Sequence, residues 1–191
     1  MDLTSPQSIG EKLFKWRDYT PVPLVLLLLV VAKPSAFSAT FGLLLILAGE
    51  LFRIYSVAFI GAISRTRRSL GEELVTTGPF AWVRNPLYIG NFGIVMGLCL
   101  YSASVWLGLL TLALFAWQYY WIVQYEENIL EGKFGETYRL YRDRVPAWLP
   151  KEFPRWDSLV WPESFGPALK SEQRTLSAIG LILVLLLVKS L

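Results

Sequence analysis

Charge is almost absent from five long stretches of this 191-residue chain, and that distribution constrains its fold more than any other feature. The stretches cover residues 21–32, 36–63, 87–104, 105–123 and 175–188. About 20 apolar residues in a helix cross the hydrocarbon core of a bilayer, where every backbone polar group must find its partner within the protein. The second run is interrupted only by Glu50 and Arg53, and Lys33-Pro34-Ser35 separates it from the first as a helix stop. A tight helical hairpin over residues 21–63 is the expected result. Tyr101-Ser102-Ala103-Ser104 is small and polar enough to turn the chain between the third and fourth runs, both long enough to cross. The fifth run is somewhat short for a span unless its flanks snorkel. With 54% hydrophobic and 17% charged residues, the chain departs from soluble domains, which carry about 45–50% and about 25%. The sequence therefore predicts a single all-α domain over residues 1–191, an integral membrane bundle of about five transmembrane helices. It excludes a disordered chain and a highly charged coiled coil.

Lysine and arginine resist translocation, so their placement orients the bundle. Lys12, Lys15 and Arg17 precede the first run. Arg65, Arg67, Arg68 and Arg84 lie between the second and third, and Lys133, Arg139, Arg142, Arg144, Lys151, Arg155, Lys170 and Arg174 between the fourth and fifth. Only Lys33 and Lys189 fall on the other side, which predicts a multi-pass protein with a cytoplasmic N-terminus. The net charge of +3 thus hides a one-sided basic face suited to anionic membrane lipids, and no nucleic-acid motif accompanies it. Asp2 and Glu11 dilute the positive region before the first run, so that run is expected to be a retained span rather than a signal peptide. Between Pro146 and Pro167 the prolines, charges and Trp148, Trp156 and Trp161 predict an irregular stretch at the head-group layer.

Histidine is absent altogether, which excludes histidine-based nucleophile systems, proton shuttles and histidine-ligated metals. The single cysteine, Cys99, offers neither an intrachain disulfide nor a multi-thiolate metal site, and its apolar surroundings predict a buried packing role. No metal is expected. Acid–base chemistry is left to Glu, Asp, Tyr, Lys or Arg.

Three clusters of such residues stand out, all on the predicted cytoplasmic side or at a membrane boundary. Glu50 and Arg53 are three apart on one helix face; they either neutralise one another or line a polar cavity. The second cluster is the segment from Leu74-Val75-Thr76-Thr77-Gly78-Pro79-Phe80 to Arg84-Asn85-Pro86-Leu87-Tyr88-Ile89-Gly90. Pro86 suits the first turn of the third span, so Arg84 and Asn85 stand beside a helix start able to hold an anion or polar cofactor. A snorkelling arginine would look the same in composition. The third cluster closes the fourth run with Tyr119-Tyr120-Trp121-Ile122-Val123-Gln124-Tyr125-Glu126-Glu127 and continues through Asn128 to Phe134-Gly135, Tyr138 and Tyr141-Arg142-Asp143-Arg144-Val145-Pro146. Adjacent carboxylates are about 100° apart on a helix, so one is expected to face inward while the other stays wet. Arg84, Arg142 and Arg144 are the candidates to answer their charge at the unfavourable end of the helix dipole.

In this order and spacing, the clusters resemble the isoprenylcysteine carboxyl methyltransferase and phospholipid methyltransferase family of integral membrane enzymes. The resemblance covers roughly residues 40–150, counting Arg53 and Gly61 with the two later segments. It implies S-adenosylmethionine held in a cytoplasmic-side pocket built by the third and fourth helices and the segment after them, with S-adenosylhomocysteine as product. A lipophilic substrate would enter from the bilayer. By the same resemblance, residues 74–150 form the cofactor-binding and catalytic core, and residues 175–188 the last span. Leu74, Val75, Thr76, Gly78, Arg84, Asn85, Tyr88, Glu126 and Glu127 are the expected cofactor contacts. Glu127, Arg144 and Arg84 are the catalytic candidates, and Arg53, Glu50, Tyr141, Arg142 and Arg144 the substrate-facing ones. Many relatives carry histidine where this chain has Asn85, which can exchange hydrogen bonds but cannot take a charge. The acceptor is expected to be of the isoprenylcysteine carboxylate type, with a phospholipid amine as the alternative. An NADPH-dependent sterol-type reductase, which shares an Arg-x-Pro-x-Tyr segment and a late acidic pattern, and a non-enzymatic membrane scaffold are the readings from other classes.

Overall fold

The computed structural model describes residues 6–60, 73–152 and 159–190. Gly61, Arg65, Arg67, Arg68, Arg155 and Trp156, named above, lie outside the described residues. Seven α-helices, one short 3₁₀ turn and no strand are found among the described residues: α1 (Pro6–Trp16), α2 (Val22–Val31), α3 (Ala36–Ile60), α4 (Pro86–Tyr101), α5 (Val105–Phe134), α6 (Glu136–Arg144) and α7 (Gly166–Ser190).

The expected hairpin between α2 and α3 turns at residues 32–35. Ser35 and Ser38 close the start of α3 reciprocally: each side-chain oxygen accepts from the other residue's backbone N–H, at 3.1 and 2.9 Å, which satisfies two donors a helix start would otherwise leave open. The turn between α4 and α5 uses Ser102, whose hydroxyl donates to the Cys99 carbonyl at 2.7 Å, and Ala103 at a φ of 56°. The two turns lie side by side, since the Lys33 N–H donates to the Ser102 carbonyl at 3.1 Å. Lys189 at the end of α7 joins them, its ammonium donating to the carbonyls of Val30 at 2.5 Å and Ala32 at 2.9 Å. One end of the bundle therefore gathers both turns and the C-terminal helix end.

Between α3 and α4 the backbones approach closely. A Cβ on Gly49 would stand 2.7 Å from the Gly90 carbonyl oxygen, and one on Gly97 would stand 2.8 Å from that of Gly42. Small residues at such crossings are how membrane helices gain contact without a hydrophobic driving force. Leu28, Ile46, Leu98, Leu107 and Leu186 then join α2, α3, α4, α5 and α7 in one apolar core, with Cys99 buried among them as expected.

Among the described residues, three helices are long and apolar enough to cross a bilayer: Ala36–Ile60, Val105–Phe134 and Gly166–Lys189. The chain is a membrane protein. The other two apolar helices are shorter: α2 rises about 15 Å and α4 about 24 Å, against a hydrocarbon core of about 30 Å. The fifth run proves to be the end of a longer helix, because α7 begins at Gly166 and carries Lys170, Glu172 and Arg174 in its first turns. Residues 145–152 and 159–165 are irregular, as the prolines require.

Candidate functional site

At the opposite end of the bundle from the two turns, α4 begins, α5 ends and α6 folds back. Pro86 occupies the first turn of α4, where its missing N–H costs nothing, and Asn85 precedes it at the cap position. The Asn85 side chain donates to the Ala147 carbonyl at 3.1 Å and the Arg84 N–H to the Pro146 carbonyl at 2.9 Å, so the irregular segment after α6 is tied down beside the helix start. Gly135, at a φ of 54°, stops α5 and lets α6 turn back along it. Glu131 of α5 fastens that return, accepting from Arg139 at 2.7 Å and Arg142 at 2.6 Å.

The Arg84 guanidinium is the hub of this junction. Its Nε and Nη2 donate to the Glu127 Oε1 at 3.0 and 2.8 Å, and its Nη1 to the carbonyls of Arg142 at 3.0 Å and Val145 at 2.6 Å. One turn further along α4, the Tyr88 hydroxyl donates to the Glu126 Oε2 at 2.6 Å. The two adjacent carboxylates of α5 are both answered, each by a different residue at the start of α4. Neither is left in water, contrary to the expectation that one would be. Helix α4 and the returning α6 wrap two sides of α5, so residues about 100° apart both meet protein.

These residues surround a cavity of about 170 Å³ lined by Leu74, Val75, Arg84, Asn85, Tyr88, Glu126, Glu127 and Tyr141 among the expected site residues, with Glu73 and Tyr138 in addition. The Tyr141 hydroxyl donates to the Phe80 carbonyl at 2.7 Å, linking α6 to the 3₁₀ turn at Gly78–Ala81. Burial pushes the phenols of both Tyr138 and Tyr141 above their ordinary range, so they remain neutral. Three carboxylates and one guanidinium among the described lining residues give the cavity a net acidic character, which suits a cationic ligand.

Other expected site residues fall elsewhere. Thr76 is exposed and Gly78 is buried beneath the Phe59 ring at a φ of 58°, and neither lines the cavity. Arg142 contributes its carbonyl to Arg84 and its side chain to Glu131. Arg144 is exposed, one helical turn beyond Tyr141. Glu50 and Arg53 are buried within the bundle outside the cavity lining and paired at 3.4 Å. Arg53 also reaches Glu172 of α7 at 2.5 Å, Thr175 at 3.3 Å and the Asn91 side chain of α4.

Sequence reasoning passed over Asn91, Glu172 and Glu73. Asn91 carried a usable signal, since a polar side chain inside an apolar run is costly enough to imply a partner. Glu172 was hidden by its neighbours, which read as part of a polar loop rather than the first turns of a span.

The sequence profile of the phospholipid methyltransferase family matches residues 37–137. The chain is 33% identical over 123 residues to protein-S-isoprenylcysteine O-methyltransferase of Rattus norvegicus, covering 62% of this chain and 43% of that one. The human protein of the same name is 32% identical over the same length and the same shares. Nickel-cobalt-cadmium resistance protein NccN of Alcaligenes xylosoxydans xylosoxydans is 32% identical over 117 residues, 61% of this chain and 52% of that one. The chain thus spans about half or less of the length of these relatives. No solved structure matches it. Since the family profile covers more than half of the chain and includes Arg84, Tyr88, Glu126 and Glu127, this protein belongs to the phospholipid methyltransferase family.

Proposed function

We propose that the protein is an S-adenosylmethionine-dependent membrane methyltransferase acting on the polar head of a lipophilic acceptor, with an isoprenylcysteine-type carboxylate as the favoured acceptor. The observation that carries this reading is the acidic cavity where α4, α5 and α6 meet. Glu73, Glu126 and Glu127 outnumber Arg84 there, a donor set that fits a ligand carrying a sulfonium and an ammonium. When bound, the donor supplies a methyl group whose bond to sulfur breaks, the pair going to sulfur, as the acceptor oxygen bonds the methyl carbon.

Little covalent chemistry is asked of the protein, so alignment and exclusion of water dominate its contribution. Arg84 holds Glu127 in place and stitches α6 to the start of α4, which closes the cavity on one side. Tyr88 holds Glu126, and the two carboxylates, with Leu74, Val75, Asn85 and the residues around them, form the donor side. Arg142 and Arg144 lie beyond Tyr141 on α6, where a carboxylate head group needs orientation rather than deprotonation. Names of the relatives, which are O-methyltransferases of prenylcysteine, support this acceptor class.

A phospholipid amine is the second reading, favoured by the same acidic lining and by the family to which the chain belongs. An amine must lose a proton before attack. Glu126 is the better acceptor for it in this geometry, being held by a phenol where Glu127 is held by a guanidinium.

The test is mass spectrometry after incubating the liposome-reconstituted protein with methyl-deuterated S-adenosylmethionine, a farnesylated cysteine thioether and phosphatidylethanolamine. A base-labile labelled ester on the thioether is the expected product. Label on the amine alone would select the second reading, and label on neither would overturn both.

A further inference from the structure

Arg53 and Asn91 are buried or half-buried on helices that pass through apolar surroundings, and neither lines the cavity. Side chains of this kind are retained in a span only when they answer one another. Their contacts run in one direction. From α7, Glu172, which is fully buried, accepts from Arg53 at 2.5 Å. Arg53 then donates to the Asn91 side-chain Oδ1 on α4, and the Asn91 side-chain Nδ2 donates to the Tyr119 hydroxyl on α5 at 3.0 Å. The Tyr119 ring packs on Tyr88 with centroids 4.6 Å apart, and is backed by Phe115 at 4.1 Å. Tyr88 in turn donates to Glu126 at the cavity.

We propose that Arg53 and Asn91 are positioning residues for the cavity: they fix the Tyr119 ring against Tyr88 and so aim the Tyr88 hydroxyl at Glu126, with Glu172 of α7 as the anchor. The close approach of α3 and α4 at Gly49 and Gly90 makes this possible, because it brings Arg53 within reach of Asn91 across the helix crossing. Glu172 lies beyond the stretch matched by the family profile, so the C-terminal helix tunes a site built by other parts of the chain. Its consequence for donor binding rests on the reading given under the proposed function; its structural content does not.

The experiment uses the full-length protein in detergent with carbon-13-labelled tyrosine, and two readouts. In the ligand-free protein, the resonance lost in Tyr88→Phe identifies Tyr88, and that resonance is expected to move by more than its linewidth in Asn91→Leu. It is expected to move in the same direction, by less, in Glu172→Gln. A merely structural role would lower the melting temperature without singling out this tyrosine, so an unmoved Tyr88 resonance in a folded Asn91→Leu protein overturns the inference. Should Asn91→Leu fail to fold, Tyr119→Phe keeps the ring and removes the hydroxyl that Asn91 addresses, and the same shift is required of it.

The second readout is the Kd for S-adenosylhomocysteine in Asn91→Leu, Tyr88→Phe and the double variant. Each single change is expected to weaken binding about tenfold and the double change no further, because both act through one hydroxyl. A product of the two losses, about a hundredfold, would overturn the coupling. Absence of binding by the unsubstituted protein would instead fail the donor-site reading and leave the spectroscopic result to decide the positioning role.

Discussion

Among the described residues the Arg84 guanidinium makes four hydrogen bonds with three elements, and every one of its nitrogens is used. Its side chain and that of Glu127 are 12% and 13% exposed, so the pair is largely removed from water. Removing one partner of such a pair leaves the other charged and desolvated, a loss of about 3 kcal/mol or more. Arg84→Ala is therefore expected to lower the melting temperature as well as ligand affinity, whereas Tyr88→Phe, which keeps the ring packing, should weaken ligand binding with little change in melting. Thermal unfolding of the two variants beside their binding isotherms checks this; equal melting losses would remove the distinction. A pH effect belongs to the same scale. Burial, and after it the charge of Glu127, raises the Tyr138 phenol above its ordinary value near 10. The stability gained by keeping it un-ionised is full below about pH 10 and is lost as pH rises further through its folded-state value. Melting curves between pH 8 and 11 should fall at the alkaline end, and less steeply in Tyr138→Phe. Most of the cavity residues were legible in the sequence because glycine, proline and charge mark them out locally. Pro86 fixed the start of α4 and with it the places of Arg84, Asn85 and Tyr88. The fate of the two glutamates was not legible, since it depends on α6 returning along α5.

At the scale of elements, α3 and α4 are held by backbone contact at their glycines. Gly49→Leu would force a side chain into the Gly90 carbonyl and the Ile94 N–H, and overpacking of this kind costs about 1–3 kcal/mol. It should separate Arg53 from Asn91 as well, so loss of folded yield and of ligand binding is expected together; a fully stable Gly49→Leu protein would contradict the packing described. The hairpin of α2 and α3 was readable because Lys33-Pro34-Ser35 punctuates it. Helix α1 was not, because its apolar residues are interleaved with Glu11, Lys12 and Lys15, and its Phe14 is buried in one cluster with Tyr119, Ile122 and Val123 of α5 and meets the Tyr125 ring. The early start of α7 was missed for a related reason: Lys170, Glu172 and Arg174 in its second and third turns look like loop until Glu172 is seen against Arg53.

The whole molecule has two unlike ends. One gathers the two helical turns with Lys33 and Lys189; the other gathers Arg84, Glu126, Glu127 and the arginines of α6. By the rule that basic segments stay on the cytoplasmic side, the cavity end is predicted to face the cytoplasm. With Cys99 replaced by serine, an impermeant maleimide should label Lys33→Cys on intact cells and Glu136→Cys only after lysis. The reverse pattern would invert the assigned orientation. The central claim, that the junction of α4, α5 and α6 holds a cationic methyl donor, is tested most directly by equilibrium binding to the purified, detergent-solubilised protein. Saturable binding of S-adenosylmethionine, displaced by S-adenosylhomocysteine, weakened in Tyr88→Phe and indifferent to NADPH, is the predicted result. Binding of NADPH with none of S-adenosylmethionine would contradict it.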